Sequence, residues 1–167
     1  MKKYIIVFVI FVLTIILSNC GGNNGETNPE LYFSNSEYST SVGNYILIKV
    51  MISDVQNLFA SSMVIEYDTT IVEYKEGSLT SGGFWSGNLV EISIEDVNGL
   101  NVCIGLKQSS GIDGITGNGD LISFQLKGKS VNEASLEIKN VNLIDEDGNY
   151  INNFDNLEIT NSIVVVN

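Results

Sequence analysis

The chain has 167 residues, no histidine, two cysteines and a formal net charge of −12 at pH 7. Without histidine the commonest general base and zinc ligand is missing, and no Ser–His–Asp or Cys–His set can form. The eight basic residues are all lysines and face twenty acids, a balance that repels phosphate and excludes nucleic acid as a partner.

Residues 1–19 read as a signal peptide: Lys2 and Lys3 give a basic start, and residues 4–17 are nearly all apolar. That run is shorter than the about 20 residues of a membrane span and suits the apolar region of a secretory signal. It ends in Leu17-Ser18-Asn19-Cys20-Gly21, which resembles the lipobox of bacterial lipoproteins, with Asn19 where a small residue is usual. The resemblance implies that Cys20 is lipidated and becomes the N-terminus; an ordinary secretory signal and an uncleaved anchor are the alternatives. Residues 20–29 then hold the Cys and a flexible polar tether, closed by Pro29, the only proline. Loss of the first segment leaves six lysines against twenty acids, a net of −14. The expected location is extracytoplasmic, on a bacterial membrane or cell surface, with the N-terminal lipid as the membrane anchor.

Residues 30–167 suffice for one core and show no long amphipathic helix pattern. Strands are predicted at 31–34, 45–53, 63–67, 71–74, 89–95, 101–107, 121–127, 135–144 and 157–166. In the seventh, Ile122, Phe124 and Leu126 alternate with Ser123, Gln125 and Lys127, the mark of a strand buried on one face. Turn residues separate these runs, so the expected fold is all-β, two packed sheets of short strands.

Gly117, Gly119, Leu121 and Phe124, followed by Asn140, Val141, Leu143, Asp145, Asp147, Gly148 and Asn149, resemble the C-terminal half of a cohesin domain. Val42-Gly43-Asn44 resembles the turn that opens such modules. Tyr67-Asp68 with Ile71 and Val72 resembles a further family segment, with Thr69 in place of its proline. The resemblance implies a nine-stranded jelly-roll β-sandwich, shared with some cellulose-binding modules, and a non-catalytic role. It implies docking of a dockerin-type protein in extracellular polysaccharide degradation. It places the contact on the strands near residues 60–66 and 101–107 and the loop through Gly111, with Ser62, Val64, Gln108 and Gly111 as partner-binding residues. The family's polar Asn-x-Asp pair falls on Ala60 and Ser62. That face is expected to be the less charged one, with Ser62, Val64, Cys103 and Gly105 exposed.

Other residues bear on chemistry. Glu91, Glu95 and Asp96 are the carboxylates a glycosidase would need, yet they alternate with Val90, Ile92 and Ile94 as on a solvated strand face. Cys103 lies in a strand between Val102 and Ile104 and reads as a small packing residue. Asp145, Glu146, Asp147 and Asn149 around Gly148 offer hard oxygens but lack the full calcium-loop pattern, and a hairpin turn is expected. No metal or cofactor is expected. Phe84-Trp85 sits among Gly82, Gly83 and Gly87; Trp85 either stacks on a sugar or a partner, or closes one end of the core. Direct carbohydrate binding to a polysaccharide, and a structural or adhesive surface role, are the alternatives to docking.

Overall fold

The computed structural model describes residues 28–96, 99–107, 113–151 and 156–167. They form twelve strands: β1 (Glu30–Phe33), β2 (Glu37–Thr40), β3 (Tyr45–Leu58), β4 (Ala60–Glu66), β5 (Val72–Tyr74), β6 (Thr80–Ser81), β7 (Leu89–Asp96), β8 (Gly99–Leu106), β9 (Ile115–Gly128), β10 (Asn132–Ile144), β11 (Glu158–Thr160) and β12 (Ser162–Val166). One sheet runs β11-β1-β3-β9-β5, with β6 also on β9; the other runs β2-β12-β10-β4-β8-β7. The all-β sandwich is thus as expected, with more strands than nine.

Alternating apolar residues decide which way each strand faces. In the first sheet Ile48 lies opposite Phe124 and Val50 opposite Ile122, and all four are fully buried. In the second, Met63, Ile65, Val102, Ile104, Leu136 and Ile138 supply the facing layer. Each such side chain, taken out of water, contributes about 1.5–3 kcal/mol.

The extra strands have local causes. The predicted strand 157–166 divides: β11 pairs parallel to β1 in the first sheet, and β12 pairs with β10 and β2 in the second. Asn161 sits at the crossing, where its Oδ1 accepts the Ile138 amide at 3.1 Å. β2 and β6 hold four and two residues, too few for a period to be read. β3 outruns its expected end because Asp54 and Asn57 take left-handed φ of 55° and 56°. The bulges they make let Val55 and Leu58, three residues apart, both point inward.

Candidate partner-binding face

β4, β8 and β7 lie side by side, so their outward side chains form rows across one face. Ala60, Ser62 and Val64 of β4 lie opposite Gly105, Cys103 and Asn101 of β8. Those three in turn lie opposite Val90, Ile92 and Ile94 of β7. Ser62 and Val64 are half-buried and Cys103 is exposed. Val90, Ile92 and Ile94 are 44%, 50% and 62% exposed, an apolar ridge along the sheet margin.

The ridge adds to the expectation for β7: Glu91 and Glu95 are exposed, as expected, and the apolar row that alternates with them is exposed as well. Glu91 and Glu95 lie on the side of β7 toward the first sheet's end. Glu95 Oε1 accepts both the Tyr67 hydroxyl and the Tyr74 amide at 2.9 Å, and Glu91 Oε1 accepts the Ser81 amide at 2.9 Å. These donors come from β5, β6 and the segment between β4 and β5, and they fix which side of β7 is inward. Both carboxylates are therefore committed as ties between the sheets.

Two expectations change. Gly105 is buried, because Ala60 lies over it; a Cβ there would come within 2.8 Å of the Ala60 methyl. Cys103 is an exposed free thiol on the outer face, as expected for that face, which overturns only its reading as a packing residue. Gln108 and Gly111 lie outside the described residues, as does Cys20.

Charge gathers beside this face and not on its centre. Lys139 of β10 bridges Glu66 and Glu137. The pairing holds the Glu137 carboxyl below its usual range, through its hydrogen bond to Lys139, and raises the Lys139 ammonium, chiefly through Glu66. Glu66 and Glu137 border a polar hollow of about 410 Å³ that Asp68 and Thr70 also line. The Asp68 carboxyl is lowered because it accepts from the Thr70 hydroxyl and amide. Its contribution is thus present at neutral pH and is lost as pH falls through that lowered value. Between this cluster and β7 the rows are Ala60–Ser62–Val64, Asn101–Cys103–Gly105 and Val90–Ile92–Ile94, all uncharged. The opposite outer face carries Lys49–Asp120 and Lys127–Glu73 pairs and Lys75 over the Tyr45 ring.

Trp85 offers no exposed platform. It is buried, 7% exposed, with Phe84 edge-on at 5.3 Å and its Nε1 donating to the Leu121 carbonyl at 2.9 Å. Of its two expected positions, the structure gives the end of the core. The acidic segment at 145–149 is a turn: Asp145 Oδ1 accepts the Asp147 and Asn149 amides at 3.0 and 2.8 Å. Glu146 accepts the Gly114 amide at 2.8 Å. Among the described residues no cluster of acids and cysteine is arranged to hold a metal ion.

Residues 34–164 match the family model described as Cohesin domain. The chain belongs to the cohesin family. Among solved structures, this cohesin is similar to the non-cellulosomal cohesin of the archaeon Archaeoglobus fulgidus, at 18% identity and a TM-score of 0.66, over 84% of this chain and 92% of that one. It is similar to the cohesin of a type I cohesin–dockerin complex, Coh-OlpA-Doc918, from Clostridium thermocellum, at 17% identity and 0.67, over 84% and 100%. It is also similar to a type II cohesin domain from the cellulosome of Acetivibrio cellulolyticus, at 12% identity and 0.67, over 83% and 95%. No curated protein matches the chain.

Proposed function

We propose that this cohesin is a non-catalytic docking module that takes a dockerin-type partner on the outer face of β4, β8 and β7. The observation that carries the reading is the uncharged patch around Ser62, Val64, Cys103 and the Val90–Ile92–Ile94 ridge. The centre of a protein–protein interface is depleted in charge, because each unpaired charge buried there costs its hydration. The same patch lies where the family resemblance puts partner contact, and one of the similar structures named above is a cohesin–dockerin complex. Gln108 and Gly111, next in sequence after β8, extend the proposed contact. Ala60 and Ser62 in place of a polar pair leave shape and apolar area to supply affinity.

The test is binding of a purified dockerin-bearing protein, measured by calorimetry. Val64→Lys should abolish it, since it brings a charge onto the uncharged rows next to Lys139, while thermal unfolding stays near that of the parent. Unchanged affinity in Val64→Lys would move the contact elsewhere. Binding to free polysaccharide in place of a dockerin would favour the carbohydrate-binding alternative. Binding to neither leaves the structural or adhesive role.

The proposal includes display on a membrane. Residues 1–19 would be removed, Cys20 would carry the lipid, and residues 21–29 would tether the domain within about 30 Å of the surface. The net charge of −14 on the processed chain repels anionic headgroups, so the lipid alone would anchor it. Wild-type protein should partition into the detergent phase and carry fatty acid, and Cys20→Ser should release it to the aqueous phase. Wild-type protein recovered in the aqueous phase would remove the anchor.

A further inference from the structure

The margins of the two sheets differ in length. β11 and β5 end the first sheet with three residues each, and β2 ends the second with four. β7, at the remaining margin, runs eight residues and, among the described residues, pairs only with β8. A strand on an open margin presents unpaired amides and carbonyls, and proteins guard it by shortness, charged side chains, proline or a bulge. The inward charges of β7, Glu91 and Glu95, are taken up by Tyr67, Tyr74 and Ser81. β7 has no lysine and no proline, and its register with β8 is unbroken from Leu89 to Asp96. Its outward row of Val90, Ile92 and Ile94 is left 44–62% exposed.

We infer that β7 is a self-association edge. Two copies of this chain pair β7 against β7, antiparallel, about a two-fold axis at Ile92, and join their second sheets into one. The strand is its own complement in that register. With Ile92 opposite Ile92 of the second copy, Val90 meets Ile94 on the outward side. On the inward side Glu91 meets Ser93 and Glu95 meets Leu89. No glutamate opposes another, and the pairing spans Leu89 to Glu95.

Other registers fail. An axis at Glu91 sets that residue against itself, and one at Ser93 sets Glu91 against Glu95; like charges directly opposite are destabilising. An axis at Val90 keeps only residues 89–91 within the strand, and one at Ile94 opposes Ile92 to Asp96. A slip of one residue would put outward side chains opposite inward ones. A foreign strand would have to bring this complement, whereas a second copy already has it. The edge shares the Val90–Ile92–Ile94 ridge with the proposed docking face. Val64, however, lies two strands in from the margin, so Val64→Lys should leave the dimer intact while it removes docking.

The test uses the full chain in detergent micelles and reads mass by sedimentation. A dimer is expected, and its fraction should rise with salt, because screening weakens repulsion between two acidic copies. Ile92→Lys, at an exposed position, should return the monomer with its strand content kept by circular dichroism. In a Cys20→Ser, Cys103→Ser background, mild oxidation should link Ile92→Cys to its copy. Ile94→Cys, held away from its own copy by the register, should stay unlinked, since a disulfide needs Cα atoms within about 7 Å. A monomer at every concentration, a dimer that survives Ile92→Lys, or equal linking of both cysteine variants would overturn the inference.

Discussion

Phe124→Ala should lower the free energy of unfolding by about 3–5 kcal/mol, the usual cost of removing a large core aromatic. Phe124 is fully buried on β9, opposite Ile48 and tilted against the Tyr74 ring at 6.4 Å. β9 is bordered by β3 on one side and by β5 and β6 on the other, so its neighbours are held by hydrogen bonds and cannot easily close on a cavity. The next residue is the control. Gln125 points to the outer face, where its Oε1 accepts from Lys75 at 2.9 Å in an exposed pair. Gln125→Ala should therefore change stability by no more than about 0.5 kcal/mol. Urea unfolding of both variants decides the matter, and equal losses would mean that β9 does not face as described.

The same contrast shows what the sequence can reveal. Alternation over Ile122, Phe124 and Leu126 pairs apolar residues with Ser123, Gln125 and Lys127, so the buried side of β9 is unambiguous. In β7 the alternation is equally strong, Val90, Ile92 and Ile94 against Glu91, Ser93 and Glu95, yet the apolar side faces out. A period of two says that the faces differ and leaves open which one is inward. Here the choice is made by the Tyr67 hydroxyl and the Tyr74 and Ser81 amides, which reach the glutamates from 10 to 28 residues away. No local window contains that information. The outward positions of β4 were legible, because Met63 and Ile65 fix its inward side. The burial of Gly105 depends on the cross-strand neighbour Ala60, and so on a register that the sequence does not print. The turn at Asp145–Asn149 was legible for the opposite reason, since the Asp145 hydrogen bonds that make it close within five residues.

Trp85→Ala should also cost about 3–5 kcal/mol, and for a reason the glycine-rich surroundings conceal. Gly82 lies so close to Asp120 that an added Cβ would overlap the Asp120 carbonyl, and Gly119 leaves room for Phe84 at 3.2 Å. These two glycines let the segment lie flat on β9. There the Gly82 and Phe84 amides donate to the Leu121 and Asp120 carbonyls, each at 3.0 Å. Trp85 is then carried inward, and its Nε1 takes the second lone pair of the Leu121 carbonyl at 2.9 Å. Trp85→Phe should keep most of the packing and lose that bond, for about 1 kcal/mol, because Gly82 still satisfies the carbonyl. As the only tryptophan of the chain, Trp85 reports on itself: the folded protein should emit at short wavelength and shift to the red on unfolding. A sugar-stacking Trp85 would behave otherwise, emitting at long wavelength in the folded state and tolerating alanine with its stability intact. The Trp85→Ala protein in urea therefore separates a core residue from a ligand platform in one measurement.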